Sequence, residues 1–120
     1  MAISADLLVA MDREREHRWE HAMDMARKRY AHHALATELT SQVDAWTLAS
    51  RMRGYCNELE SGLGKSQPSD EPGARAWLEW ARNYAESIDP LGVLPTMPGV
   101  QPAKTEDLIP FLDGWSPYGP

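Results

Sequence analysis

Apolar residues recur along this chain on helical faces, in blocks separated by polar stretches. Ile3, Leu7, Ala10 and Met11 form a short apolar stripe. Asp12-Arg13-Glu14-Arg15-Glu16-His17-Arg18 follows and is polar all the way round. The stripe resumes at Trp19, Met23, Ala26 and Tyr30. A longer one runs through Leu35, Leu39, Val43, Trp46, Ala49, Met52, Cys56 and Leu59, with Thr40, Asp44, Thr47, Arg51 and Glu58 opposite. Steps of three and four sustained over such a length predict an amphipathic helix. A polar girdle between two apolar patches predicts that the first part of that helix projects and packs on a partner.

Helix breakers set the limits. No Pro or Gly occurs before Gly54, and those residues are the main interruptions of a helix. Ser4 suits an N-cap, with Asp6 in the first turn favoured by the helix dipole. The helix is predicted to run to Ser61, with Gly62 as a left-handed C-cap. Unbroken, it would be on the order of 85 Å long at 1.5 Å per residue. A bend between His32 and Thr40 is open to it, because Thr37 and Thr40 weaken helix locally.

Residues 62–72 read as a loop. Ser69 or Asp70 can cap the next helix, and Pro72 is tolerated in its first turn. This helix is predicted from about Gly73 to Ile88. Trp77, Ala81, Tyr84 and Ile88 line one side, joined by Leu78, Trp80 and Ala85. Glu79, Arg82, Asn83 and Glu86 form the wet side. Asp89-Pro90 ends it, since proline disfavours α geometry in the residue before it. The two core-like helices should form an antiparallel hairpin. Its expected centre is Trp46, Trp77 and Trp80, with Trp46 and Trp77 buried on facing helices.

Seven of the nine prolines fall within residues 90–120, so this tail is neither regular helix nor sheet. It still carries Leu108, Ile109, Phe111, Leu112, Trp115 and Tyr118, too apolar a set for a disordered linker. Part of it should dock on the helices or on another chain. The expected architecture is therefore all-α. A long N-terminal helix forms a hairpin with a shorter one, and a proline-rich irregular tail follows. The segments are 1–34, a projecting helix; 35–90, the hairpin core; and 91–120, the tail.

Composition narrows the function classes. At 120 residues the chain has room for one ordinary domain. The net charge is −6, with acids and bases in balance over the first thirty residues. No basic stripe dominates, which argues against a nucleic-acid or membrane surface. Cys56 is the only cysteine, so no intrachain disulfide forms. No apolar run approaches the roughly 18–20 residues that span a membrane. The first residues lack the layout of a signal peptide, and a cytoplasmic home is expected.

Four groups of residues invite a chemical reading. His17-Arg18-Trp19-Glu20-His21 matches H-x-x-E-H, the inverted zinc-peptidase pattern. His17 and His21 lie one helical turn apart and could share a metal, with Glu20 as base and Glu79 or Glu86 as third ligand. The motif sits in a run where almost every residue is charged or His, so a solvated helix face is the expected reading and no metal is assigned. Arg27-Lys28-Arg29-Tyr30-Ala31-His32-His33 is the only basic cluster and could touch phosphates, with Tyr30 stacking on a base. Asp24 and Glu38 balance it. Cys56 could act as a nucleophile, but it falls on the apolar stripe, where a free thiol behaves as a small hydrophobe. Trp77 and Trp80 could line a ligand pocket, though aromatics at helical spacing are usually core.

The pattern Val43-Asp44-Ala45-Trp46, Arg53-Gly54-Tyr55, Trp77-Leu78-Glu79-Trp80-Ala81-Arg82 and Ile88-Asp89-Pro90-Leu91 resembles the C-terminal helical region of a family of uncharacterised bacterial proteins. There a charged helix leads to a Trp-centred hairpin with a similar Asp-Pro-Leu stop. The ending Phe111-Leu112-Asp113-Gly114-Trp115-Ser116-Pro117-Tyr118-Gly119-Pro120 resembles a shared tail. The likeness covers roughly residues 13–120 and implies no chemistry. Some longer relatives carry an upstream segment resembling a helix-turn-helix, which this chain lacks. Whether this is a short member or the end of a longer protein stays open.

These readings converge on a non-enzymatic helical interaction or oligomerisation module without a cofactor. Its partner is expected to be another protein or a second copy, as in a homodimer, met through Leu7, Met11, Trp19, Met23, Tyr30, Phe111 and Trp115. The runner-up is an accessory or regulatory protein in a nucleic-acid context, through Arg27, Lys28 and Arg29. A metal-dependent hydrolase at His17, Glu20 and His21 stands behind both.

Overall fold

Ser4 starts the first helix as its position suggests. Its hydroxyl accepts a hydrogen bond from the Leu7 amide at 3.2 Å, and its carbonyl accepts one from Leu8 at 3.1 Å. The first bond caps an amide that the helix itself leaves without a partner, and the second is the first regular bond of the helix. In a computed structural model that describes residues 4–65 and 71–120, helix α1 spans Ala5–Leu63 and helix α2 spans Glu71–Ile88. A 3-10 helix covers Thr105–Phe111. The fold is all-α, with no strand among the described residues. The expected capping by Ser69 or Asp70 and the stripe position of Ile3 lie outside the described residues.

Two expectations about α1 are corrected or sharpened. Its helix runs through His32–Thr40 without interruption. It also passes the predicted stop at Ser61: Gly62 is helical and not left-handed. The two extra residues bury Leu63 to 6% exposure against α2, and Lys65 N–H then closes a turn on the Gly62 carbonyl at 3.0 Å. At the other end of the hairpin, Asp89-Pro90 stops α2 at Ile88 as expected.

The chain divides into two compact units, residues 1–37 with 98–120 and residues 38–97. This replaces the expected order of three consecutive segments. The first unit is discontinuous because the tail returns to the beginning of α1.

In that unit Met23 and Ala26 are buried with Leu108 and Leu112, and Trp19, Ala22, Tyr30, Phe111 and Trp115 close around them. Leu108 and Leu112 stand four residues apart across the 3-10 helix. Asp107 holds its start by accepting a hydrogen bond from the Lys104 amide at 3.0 Å. At its other end Asp113 and Gly114 both take positive φ, 51° and 96°. The Trp115 amide donates to the Leu112 carbonyl at 3.1 Å. Consecutive positive φ values are what a type I′ turn requires, and Asp-Gly is a sequence that tolerates them. The reversal returns Trp115 to the cluster. Polar contacts complete the seal. The Trp19 indole N–H donates to the Ser116 carbonyl at 2.7 Å, and Arg29 donates to Asp113 at 2.9 Å and to the Phe111 carbonyl at 3.3 Å.

In the second unit, α1 and α2 pack antiparallel about Cys56, Leu63 and Leu78, with Leu59, Ala74 and Ala81 against them. Ala49 and Ala85 are fully buried. The face of α2 turned to α1 is therefore Ala74, Leu78, Ala81 and Ala85, mostly small residues that let two helices approach closely. The expected centre of Trp46, Trp77 and Trp80 does not form, and these side chains are 47%, 54% and 56% exposed. Register explains the difference. In an antiparallel hairpin that turns between Leu63 and Glu71, a residue seven places into α2 meets one about seven places before Leu63, which is Cys56. Trp46 lies ten residues further back, level with Ile88 at the far end of α2 and not with Trp77, and Leu39 and Val43 are exposed with it.

A candidate interaction surface

Trp77 and Trp80, displaced from the core, lie on one flank of the hairpin. On α2, Trp77, Trp80 and Tyr84 are spaced three and four residues apart, which puts them on one helical strip. Their rings form a ladder. Trp77 and Trp80 stack at 5.4 Å between centroids with 4° between planes, and Trp80 and Tyr84 at 5.3 Å with 6°. On α1, Arg51, Met52, Tyr55 and Cys56 present the facing wall. Together with Ala81 these residues line an open groove of about 370 Å³. Cys56 forms its floor and is completely buried, in the core position its place on the stripe predicted.

The walls are almost wholly apolar. Arg51 is the only charged side chain among them, and polar points elsewhere are the indole N–H groups and phenol hydroxyls. Tyr55, Trp77, Trp80 and Tyr84 are 41–62% exposed. Aromatic side chains offer about 150–250 Å² each, so these four leave on the order of 400–500 Å² open. A contiguous apolar patch of that size on a small soluble protein is commonly functional.

The opposite flank is built from charge. Arg53 pairs with Asp89 at 2.6 Å, and Arg82 reaches Glu60 and Asn57. Asp89 also accepts a hydrogen bond from the Leu91 amide at 2.9 Å. That bond, together with the Arg53 guanidinium, holds the Asp89 carboxyl below its ordinary value of 3.8. A carboxyl depressed in the folded state stabilises the fold above its unfolded pKa and loses that contribution as pH falls through the folded value. Asp89→Asn should therefore melt lower than the parent at neutral pH, with the gap closing as pH drops below 3.8. A gap constant across that range would show that the charge on Asp89 does not contribute.

The residues singled out in the sequence fall elsewhere. Met23 is buried and Trp19, Tyr30, Phe111 and Trp115 are half-buried in the cluster that joins α1 to the tail, so their apolar faces are spent within the chain. Leu7 and Met11 stay about half exposed. Within the basic cluster, Lys28 pairs with Asp24 at 3.1 Å and Arg29 with Asp113 at 2.9 Å. His17, Glu20 and His21 are exposed on α1. No three His, Cys, Asp or Glu side chains among the described residues are grouped to hold a metal. No helix among them is long and apolar enough to cross a membrane.

Trp77 and Trp80, which helical spacing assigns to the core, line the groove instead. The signal that separates the two is the stripe beside them. Ala74, Leu78, Ala81 and Ala85 keep a three-four spacing of their own and fit a close helix pair better than indoles do. Compared with protein-family models, curated proteins and solved structures, the chain matches none.

Proposed function

We propose that this chain is a non-enzymatic protein–protein interaction module whose partner seats on the aromatic flank of the α1–α2 hairpin. The observation that carries the reading is the stacked Trp77–Trp80–Tyr84 ladder, left half open over an apolar groove. Trp, Tyr and Arg are the residue types that dominate binding hot spots, and here they line one groove. Rigid aromatics lose little conformational entropy on binding, and a stacked ladder has lost part of it already. The surface differs from the one the sequence pattern favoured, because the tail covers the Trp19–Tyr30 stripe. The interaction class is retained and its location moves to the second unit.

Trp77→Gln with Trp80→Gln tests it. Tagged parent and variant are used to capture proteins from the native host, and their melting curves are compared. At least one protein, the chain's own copy included, should be retained by the parent and depleted about tenfold or more by the variant, a loss of about 1.4 kcal/mol or more in binding. The variant should keep its helical signal and melt close to the parent. Equal retention by both proteins, or a hairpin that unfolds in the variant, would remove the basis for the proposal.

A further inference from the structure

The connection that leaves α2 is largely exposed. After Ile88 the chain turns at Asp89 and runs without regular structure from Leu94 to Lys104. Leu91 is 52% exposed, Val93 86%, and Leu94 and Met97 79% each. No charged residue occurs from Pro90 to Ala103, in a chain of net charge −6. Pro95 and Pro98 stand three residues apart with Met97 between them. Prolines fix φ and hold such a stretch extended, which lowers the entropy lost when it binds.

We infer that the segment Val93–Met97 of a second copy fills the aromatic groove, and that two copies exchange these segments reciprocally. This rests on the interaction-module reading and names its partner.

Complementarity supports the pairing. Extended proline-rich stretches dock in grooves walled by aromatic rings, with apolar side chains between the rings and backbone carbonyls accepting from their N–H and O–H groups. The indole N–H groups of Trp77 and Trp80 and the hydroxyls of Tyr55 and Tyr84 make no hydrogen bond to another described residue. Pro95 removes one backbone donor from the segment, and its carbonyls remain as acceptors. A neutral segment also enters an apolar groove without stripping water from a charge, a step that is costly for acidic or basic peptides.

Geometry favours a second copy over the chain's own segment. Leu91 and Gly92 line a concavity with Arg53, Asn57, Arg82, Glu86 and Asp89, on the charged flank of the hairpin. None of these residues belongs to the aromatic groove. The exit is pinned there, because Asp89 accepts from the Leu91 and Gly92 amides and pairs with Arg53. From Gly92 the five residues to Met97 extend to at most about 18 Å. Rounding α2, a cylinder of about 10–12 Å, would use most of that length before the groove is reached.

Area explains why the exchange is mutual. The groove aromatics open on the order of 400–500 Å² per copy, and the segment's apolar side chains expose a similar amount. One segment in one groove would fall short of the roughly 1,000 Å² a specific interface needs, whereas two reach the ordinary size. Reciprocal exchange is closed by a two-fold axis, so it ends at a dimer.

Sedimentation equilibrium on the full chain at micromolar concentration provides the test. Two variants are compared with the parent: Trp77→Gln with Trp80→Gln, and Val93→Ser with Leu94→Ser and Met97→Ser. The second changes only side chains exposed in the single chain, so its melting as a monomer should match the parent's. The parent should dimerise, and each variant alone should dissociate at least about tenfold more readily. A mixture of the two variants should regain weak one-to-one association, because one intact segment then meets one intact groove. A parent that stays monomeric, with a different protein lost from the groove variant, overturns the exchange and leaves the interaction reading standing. A dimer broken by the groove substitutions and untouched by the segment substitutions does the same, and shows that the aromatic flanks pack on each other. Groove substitutions that alter no association of any kind overturn both.

Discussion

Leu78→Ala is expected to destabilise the hairpin by about 2–5 kcal/mol, while Trp77→Ala, at the larger neighbouring residue, should cost no more than about 1–1.5 kcal/mol. Size alone predicts the reverse order. Leu78 is 6% exposed and packs with Cys56 and Leu63 between two helices. Its removal loses the transfer energy of the side chain and leaves a cavity that an 18-residue helix, held at close range by alanines, cannot easily collapse. Trp77 is 54% exposed, and its main loss is the stacked contact with Trp80. Denaturant unfolding followed by hydrogen exchange of the α2 amides reads both variants. A Trp77 variant less stable than the Leu78 variant would return the tryptophan to the core and take the groove away with it.

That comparison also marks how far the sequence could be read. Helical periodicity and the absence of Pro and Gly before Gly54 specify a long first helix, and Asp89-Pro90 specifies the end of the second. Both follow from local backbone rules, and both hold in the structure. Register is a different kind of information. Which residues of α2 meet which residues of α1 depends on where the turn between them begins, and α1 outruns its predicted stop because Leu63 gains burial. Counted from the turn, Trp77 stands level with the neighbourhood of Cys56 and not with Trp46, a register that periodicity does not carry, and indoles that periodicity assigns to the core lie beside it. The groove follows from that displacement, which is why no motif announces it. The tail had a similar limit. Its apolar content showed that it docks, but nothing in a stretch interrupted by prolines specifies a target. The Trp19–Tyr30 stripe became that target through contacts more than eighty residues apart in sequence, such as Arg29 with Phe111 and Asp113.

Leu112→Ala should weaken docking of the tail by about 2–5 kcal/mol, and Leu112→Asp should release it. Leu112 is 2% exposed and shares its cluster with Met23, Ala26 and Leu108. An aspartate there would bury a carboxylate with no partner, and the chain avoids that cost by lifting the tail into water. The loss is bounded by the free energy of docking, so the expected outcome is local opening. The amides of Asp107, Leu112 and Trp115, which donate to Lys104, Ile109 and Leu112, should lose their exchange protection. Emission from Trp19 should shift to the red as its N–H parts from Ser116 and its ring meets water. The hairpin amides belong to the other compact unit and should keep their protection. Loss of protection throughout α2 in the aspartate variant would mean that the two units fold as one. A variant that keeps Trp19 emission and tail protection unchanged would mean that Leu112 does not hold the tail. If docking is lost and the hairpin stays intact, the freed Trp19–Met23–Tyr30 stripe should promote new self-association in the aspartate variant, because it presents the uncovered apolar face that the docked tail conceals.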